Sequence, residues 1–360
     1  MRYYCTYFDS NYLVRALPMI LSLKKCCRHP YVIYVLCLDD VCFSTVKSLN
    51  YSGVIPIPLA ELEAVDNVLF SVKSGRSKIE YYFSCTAAFM RFLFSRFTEI
   101  DLLTYLDSDL YFFSSLDPVF EELGSSSILI IPHRFSDRLK FLQKNGQFNV
   151  GLVSVRRDDD GMACVNWWHE RCMEWCFDRN EDGRFADQGY LDQFPKLFGK
   201  VCVLQNKGAN LAPWNIEQYC IREKDGTVHV DESFLIFYHF QGYRQLSHHF
   251  IDPGIMPLKD KDQEYVMKYI YFPYIREIFS AKNLLKIAFS DKSTFGNTRH
   301  YVESMFDSFS RKYQIRCFLQ GKVVGRFAGR PWYVSPSRFE RFFHVYDFLF
   351  NDYKRNETAD

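Results

Sequence analysis

Three short apolar runs in the first third of this chain each stop at an aspartate. Residues 3–8 (YYCTYF) end at Asp9, residues 31–38 (YVIYVLCL) at Asp39-Asp40, and residues 101–106 (DLLTYL) at Asp107. Runs this short and this apolar read as strands buried on both faces. Between them lie stretches with helical spacing. In residues 11–27, Leu13, Leu17, Ile20, Leu21 and Leu23 share a broad face, with Pro18 predicted to kink it; residues 85–97 carry Arg91 and Arg96 on an otherwise apolar helix. Strands alternating with helices predict an α/β fold around a mainly parallel sheet, and such sheets gather ligands at the carboxyl ends of their strands. The three aspartates fall at those ends.

The pattern continues with strands at 127–132, 148–155, 201–204 and 234–240, and with a helix opened by Asp158-Asp159-Asp160. Hydrophobic residues make up 48% of the 360, enough for a sizeable core. A formal net charge of +1 argues against a dedicated nucleic-acid binder. Of the 12 cysteines, Cys26 and Cys27 are adjacent, and Cys37 and Cys202 lie inside apolar runs. That placement suits reduced, buried thiols. With no run of 18 apolar residues and a first strand at the very start, the expected location is cytoplasmic. Past about residue 257 the chain turns helical, aromatic and basic. Between Tyr271 and Asp360, Lys and Arg outnumber Asp and Glu by 15 to 9. We therefore expect one domain over residues 1–255 and a mainly helical extension over 256–360.

Four segments carry chemistry. Asp107-Ser108-Asp109 offers two hard oxygen ligands at a strand end, suited to holding a divalent cation against a diphosphate. Asn149 and Gly151 open a strand, where an amide reaches sugar hydroxyls and glycine permits close approach; a turn Asn followed by a strand Gly fits equally. Asp187 and Gln188 open a helix, with Asp187 either at the site or only a cap. His239 ends an apolar strand just before Gly242, as a third metal ligand or as a core histidine satisfied by a carbonyl. His169, Cys172 and Cys176 have ligand-like spacing too, but they share an apolar helical stripe with Cys164, Trp168 and Trp175, which predicts core packing.

In this order the segments resemble the retaining glycosyltransferases of family 8, the group that includes glycogenin and the lipooligosaccharide galactosyltransferases. The matching motifs are Asp9-Ser10-Asn11-Tyr12, Asp107-Ser108-Asp109, Asn149-Val150-Gly151, Asp187-Gln188 and His239-Phe240-Gln241-Gly242, spread over roughly residues 1–250. The resemblance implies a GT-A fold, a Rossmann-like α/β/α sandwich around a mixed sheet. It implies Mn²⁺ or Mg²⁺ on Asp107, Asp109 and His239. It places the donor, a nucleotide-diphosphate sugar, against Asp9, Asn11, Tyr12, Arg91 and Gly242, and the reacting sugar against Asn149, Asp187 and Gln188. The implied activity is transfer of a hexose, with retention, to a saccharide or lipid-linked saccharide acceptor in bacterial surface glycan (lipopolysaccharide-type) synthesis.

The chain departs from the family in three places. Gln245 stands where the family has lysine, with Arg244 one residue earlier, and the Pro-Trp that follows is missing. Residues 208–215 (GANLAPWN) have no counterpart in the better-known members and, together with 131–135 (IPHRF), suggest a distinct bacterial branch. Two other functions fit the same architecture. A sugar-phosphate nucleotidyltransferase would open with a Gly-rich basic loop, which residues 5–16 lack. A non-catalytic sugar-nucleotide-binding protein would not need an intact Asp107, Asp109 and His239 set. In the tail, Arg326, Arg330, Arg338 and Arg341 with Trp332, Phe342 and Phe343 suit either a cap on the core or peripheral docking on a membrane.

Overall fold

The strand–helix alternation of the first third folds as one sheet. In the computed structural model, which describes residues 1–245, 250–254, 265–290, 324–327 and 330–333, strand β1 (Arg2–Phe8) is followed by α1 (Leu13–Cys26), β2 (Tyr31–Cys37), α2 (Asp40–Leu49) and β3 (Val54–Pro58). Two short helices, α3 (Leu59–Val65) and α4 (Asn67–Val72), lead into the long α5 (Lys78–Arg96). Then come β4 (Leu102–Leu106), β5 (Leu110–Phe112), α6 (Asp117–Leu123), β6 (Ile128–Pro132), β7 (Phe148–Arg156) and α7 (Asp159–Glu174). The chain continues through α8 (Phe194–Leu197), β8 (Val201–Val203), β9 (Ile221–Lys224), β10 (Thr227–Val230), β11 (Ser233–Phe234) and β12 (Phe237–His239).

Seven strands form the main sheet in the order β3-β2-β1-β4-β7-β6-β8. β3, β2, β1 and β4 are parallel; β7 runs antiparallel to both β4 and β6, and β8 is parallel to β6. This is the α/β sandwich around a mixed sheet expected for a GT-A fold. The chain steps from β1 outward to β3, then returns to lay β4 on the other side of β1. The order therefore reverses between β1 and β4, and the crevice outside such a switch point is where open sheets bind ligands. Asp9 leaves β1 there and Asp107 leaves β4.

Local signals set the element ends. Ser77 accepts the Glu80 backbone N–H, and Glu80 accepts the Ser77 N–H, a capping box that starts α5 seven residues before the expected start at residue 85. Such a cap is worth about 1 kcal/mol. Asp158 caps α7 by accepting from the Gly161 N–H at 2.9 Å. Pro18 sits inside an otherwise continuous α1. Phe89, Phe94, Tyr105, Trp168 and Phe194 are fully buried and anchor the core. Cys164, Cys172 and Cys176 belong to it as free thiols, and His169 is buried against Asp66 at 2.7 Å, so the core reading of that stripe holds.

The expected single strand over 234–240 is two strands. The Ile236 N–H leaves the ladder to reach the Gly208 carbonyl at 2.7 Å, which separates β11 from β12. Gly208 is required there, since a Cβ would lie 1.8 Å from the Phe234 carbonyl oxygen.

The chain divides into two compact units, Met1–Gln241 with Glu277–Met305, and Gly242–Arg276 with Phe306–Asp360. The second contains an antiparallel four-stranded sheet of Arg244–Gln245, Phe250–Asp252, Val324–Phe327 and Arg330–Tyr333. A further helix spans Phe272–Ser290. Arg338, Arg341, Phe342 and Phe343 lie outside the described residues. Among the described residues no helix is long and apolar enough to cross a membrane.

Candidate functional site

Asp107 and Asp109 sit in the turn that joins β4 to β5. The turn is fixed by the Asp107 N–H donating to the Gly151 carbonyl at 3.0 Å and the Phe240 N–H donating to the Asp109 carbonyl at 3.0 Å. β5 pairs antiparallel with β12 so that Leu110 lies opposite His239. That register delivers His239 to the two acids from 130 residues away. Its Nε2 is 3.1 Å from Asp109 Oδ1 and 3.6 Å from Asp107 Oδ2. One ligand atom from each of the three lies within 4.8 Å of the others, so the group could hold a metal ion. Two carboxylate oxygens and one imidazole nitrogen make a donor set that suits Mn²⁺ or Mg²⁺.

Behind this group the amides are fully engaged. Asn149 Oδ1 accepts from the Gly151 N–H at 3.0 Å and lies 3.2 Å from His239 Nδ1. Its Nδ2 donates to Gln188 Oε1 at 3.1 Å and lies 3.3 Å from His133 Nε2. With Nδ1–H turned to Asn149, His239 keeps Nε2 for a cation, the arrangement by which outer partners orient metal-ligating histidines. Asn149 is buried, and its hydrogen-bonding capacity is spent inside the protein rather than open to sugar hydroxyls. The Asn-x-Gly spacing has a steric cause. A Cβ on residue 151 would come within 2.4 Å of Asn149 Oδ1 and 2.9 Å of His239 Nδ1.

The charges differ across the site. The crowding of protein atoms pushes the Asp107 carboxyl up to about 6, with the Asp109 carboxylate adding to the rise. Burial also works to raise Asp109, but the His239 imidazole outweighs it and the net shift is downward, with Arg15 and Tyr12 contributing. Tyr12 Oη donates to Asp109 Oδ2 at 3.2 Å. Burial opposes a charged His239, yet Asp109 and Asp107 carry it above its ordinary value. A cation bound here would take that proton's place as the acids' counter-charge.

Asp187, buried at 4% exposure, precedes a short 3-10 turn, Gln188–Gln193, but its side chain caps nothing. Instead Oδ2 accepts from Thr86 Oγ1 at 2.7 Å. The backbone is set by Ala186 at φ +46°, a left-handed conformation that costs a non-glycine residue of order 1 kcal/mol, and by Trp168 Nε1 donating to the Asp187 carbonyl at 2.9 Å. Burial lifts the Asp187 carboxyl to about 7, against the Thr86 hydrogen bond and with a push from Asp107.

At the end of β1, Asp9 caps the turn Ser10–Tyr12 by accepting from the Tyr12 N–H, takes the Asn11 amide at 3.3 Å, and pairs with Lys78 Nζ at 2.8 Å. Asn11 itself is exposed. Asp39 is spent on structure, holding Ser10 and capping α2. Arg91 is not brought to the acids. It lies exposed on α5, where its charge acts on Asp66. The face of α5 that meets the site carries Lys78, Tyr82 and Thr86, spaced four apart; Arg91 is off that row. Gly242, at φ +81°, turns the chain three residues after His239 and opens the second unit.

Two segments without an expected role form the wall behind His239. The His133 ring stacks on Phe135 at 4.5 Å and meets Trp214 edge-on at 5.3 Å, and Trp214 meets His239 edge-on at 5.1 Å. The Trp214 and Asn215 side chains both donate to the His133 carbonyl, and the His239 N–H donates to the Leu211 carbonyl at 2.8 Å. Burial depresses His133 to about 3, which keeps it neutral and leaves Nε2 free to accept from Asn149. The signal in the sequence is slight: a His and a Trp, each directly after a proline, at Pro132-His133 and Pro213-Trp214.

No family model matches the chain. It is 33% identical over 252 residues to the uncharacterized protein YfnF of Bacillus subtilis (strain 168), covering 68% of this chain and 82% of YfnF. It is 30% identical over 292 residues to the uncharacterized protein YfnD of the same organism, covering 80% of this chain and 92% of YfnD. Solved structures similar to it include the galactosyltransferase LgtC with donor and acceptor sugar analogs (19% identity, 59% of this chain and 76% of that one, TM-score 0.40) and mouse xyloside xylosyltransferase 1 (13% identity, 67% and 97%, TM-score 0.44).

Proposed function

The chain belongs to the family of YfnF and YfnD, and we propose that it is a metal-dependent glycosyltransferase of the family 8 type. The observation that carries the reading is the convergence of Asp107, Asp109 and His239, within 4.8 Å, at the switch point of the sheet. A divalent cation held there supplies charge neutralisation for a departing nucleoside diphosphate. The residues of the chain do the rest. Asp109 and Asp107 present oxygens to the cation, and Asn149 fixes the His239 tautomer. Asp9, Asn11 and Tyr12, at the neighbouring strand end, receive the nucleoside. Gln188 lies beside Asn149, and Asp187, when ionised, offers negative charge to the positive charge that develops on the reacting sugar.

On this reading the donor is a nucleotide-diphosphate hexose, the outcome is retention, and the acceptor is a saccharide of a bacterial surface glycan. Residues 1–255 are the transferase domain. The basic, aromatic residues 256–360 form an extension that meets a lipid-linked acceptor at the cytoplasmic face of the membrane. A panel of UDP-, GDP- and dTDP-hexoses tested for Mn²⁺-dependent release of nucleoside diphosphate checks the proposal. One donor should be turned over with the cation and none in chelator. Turnover that ignores the cation, or binding of sugar nucleotides without any turnover, would sink it.

A further inference from the structure

Asp187 receives its one side-chain hydrogen bond from an unassigned residue. Thr86 Oγ1 donates to Asp187 Oδ2 at 2.7 Å, and both side chains are buried. Thr86 sits in a helix turn otherwise filled by Cys85, Ala87, Ala88 and Phe89, all fully or nearly fully buried. A hydroxyl in such a place needs a partner, because an unmade bond costs about 1–3 kcal/mol. Its partners are Asp187 on one side and Tyr7 Oη, from β1, at 3.2 Å on the other. When Asp187 is ionised the one Thr86 proton goes to the carboxylate and the Tyr7 hydroxyl donates to Thr86; when Asp187 is protonated Thr86 can donate to Tyr7 instead. The Tyr7 ring lies 5.6 Å from that of Tyr105, whose hydroxyl donates to Asp107 Oδ1 at 2.8 Å. Hydroxyls thus line the path between the carboxyl at the reaction site and a ligand of the cation, on β1, β4 and α5, the elements that frame the switch point.

We propose that Thr86, backed by Tyr7, is a positioning residue that fixes the orientation of the Asp187 carboxylate toward the reacting sugar. This rests on the reading that Asp187 acts there. A threonine suits the task because its χ1 is stiff and its γ-methyl packs among the apolar neighbours, leaving the hydroxyl one direction. The ionisable groups around Asp187 are Asp107, Tyr7, Tyr105 and Cys172. Among the described side chains around Asp187, Thr86 is the one that favours the ionised carboxylate, alongside the backbone N–H groups of Asp187 and Gln188.

The test pairs Thr86→Val, which keeps shape and removes the hydroxyl, with Thr86→Ser, which restores it. With the donor turned over in the panel, T86V should lower kcat about 30-fold, the size of one hydrogen bond to a charged group. It should leave donor KM and Mn²⁺ affinity unchanged. T86S should recover most of the rate, and T86V should add little on a D187N background. A second arm needs no substrate. In metal-free protein labelled with ¹³C-aspartate, and assigned with D187N, the Asp187 carboxyl should titrate at higher pH in T86V and at the parental pH in T86S. Parental kcat in T86V beside an inactive D187N would overturn the proposal, as would identical titration in T86V and T86S. A fully active D187N would instead remove Asp187 from the reaction, and the titration arm would judge the Thr86 contact alone.

Discussion

Asp66 and Asp187 are both buried carboxylates on the first unit, and the fold treats them in opposite ways. Burial works to raise Asp66, but His169 Nε2 at 2.7 Å and the Leu69 N–H at 3.0 Å reverse it, and its carboxyl is held below the ordinary range. For Asp187 burial wins: the Thr86 hydroxyl and the Asp187 and Gln188 N–H groups work against it, the like charge of Asp107 works with it, and the carboxyl is lifted to about 7. The first acid ties α4 to α7 and caps α4. The second is left costly to ionise. A strongly raised carboxyl in a cleft is the pattern expected of a functional acid, which is the role proposed for Asp187.

The sharpest break between the two regions is loss of a metal ligand. Asp109→Ala should lower turnover roughly 1,000-fold and abolish Mn²⁺ binding by calorimetry, since one carboxylate of the cation is worth several kcal/mol in the transition state. Asp66→Asn should do neither. It should instead lower unfolding free energy by about 3 kcal/mol in urea titrations, because it strands His169 and weakens a cap. The pH dependence follows from the sign of the shift. The Asp66 carboxyl is lower folded than unfolded, so its contribution is complete above the unfolded value near 4 and is lost as pH falls through the folded one. A D66N variant equal to the parent in stability at pH 7 would show that the pair is decorative.

Between those extremes stands Gly151→Ala. The added methyl meets Asn149 Oδ1 and His239 Nδ1, so the imidazole must turn away from the cation. Mn²⁺ affinity should drop about 10- to 100-fold, as for other losses of a partner that orients a ligand. Unchanged affinity would mean that His239 is held by its aromatic wall and not by Asn149.

Asp187→Asn sharpens the comparison from the stability side. The folded carboxyl is raised, so ionising it penalises the folded state as pH climbs from the unfolded value near 4 through about 7. D187N removes that penalty. It should be more stable than the parent by up to about 4 kcal/mol at pH 8 and nearly equal at pH 4, while losing turnover. Equal stability at both pH values would mean that Asp187 is already answered by partners, as Asp66 is.

Much of the frame was legible. Apolar runs ending in aspartate located β1, β2 and β4, and the family resemblance carried by the order of the motifs linked Asp107, Asp109 and His239, which the fold brings within 4.8 Å. What escaped reading has physical causes. Thr86 and Tyr7 carry their hydroxyls inside apolar elements, where a sequence shows only core. His133 and Trp214 meet through a ring contact and a backbone carbonyl between segments 81 residues apart, and hydropathy does not register a backbone carbonyl. Asn149 looked like a sugar ligand because a sequence does not show whether an amide is already satisfied.

The smallest expected effect concerns α5, where a helix's start decides which side chains meet the site. The family resemblance implied Arg91, on a helix expected to begin at Cys85, as a contact of the donor. The Ser77–Glu80 box starts the helix at Lys78 instead, and the row Lys78, Tyr82, Thr86 then faces Asp9 and Asp187. Lys78 is 64% exposed, so its pair with Asp9 is worth less than about 1 kcal/mol to folding. Its charge is nevertheless the one on α5 beside the proposed nucleoside end. Lys78→Ala should weaken UDP or GDP binding, with Mn²⁺ present, about 3- to 5-fold, with the difference shrinking as salt screens it. Arg91→Ala should leave binding unchanged and cost a little stability through Asp66. If R91A weakens nucleotide binding more than K78A, the face of α5 assigned to the site is wrong, and with it the placement of Thr86.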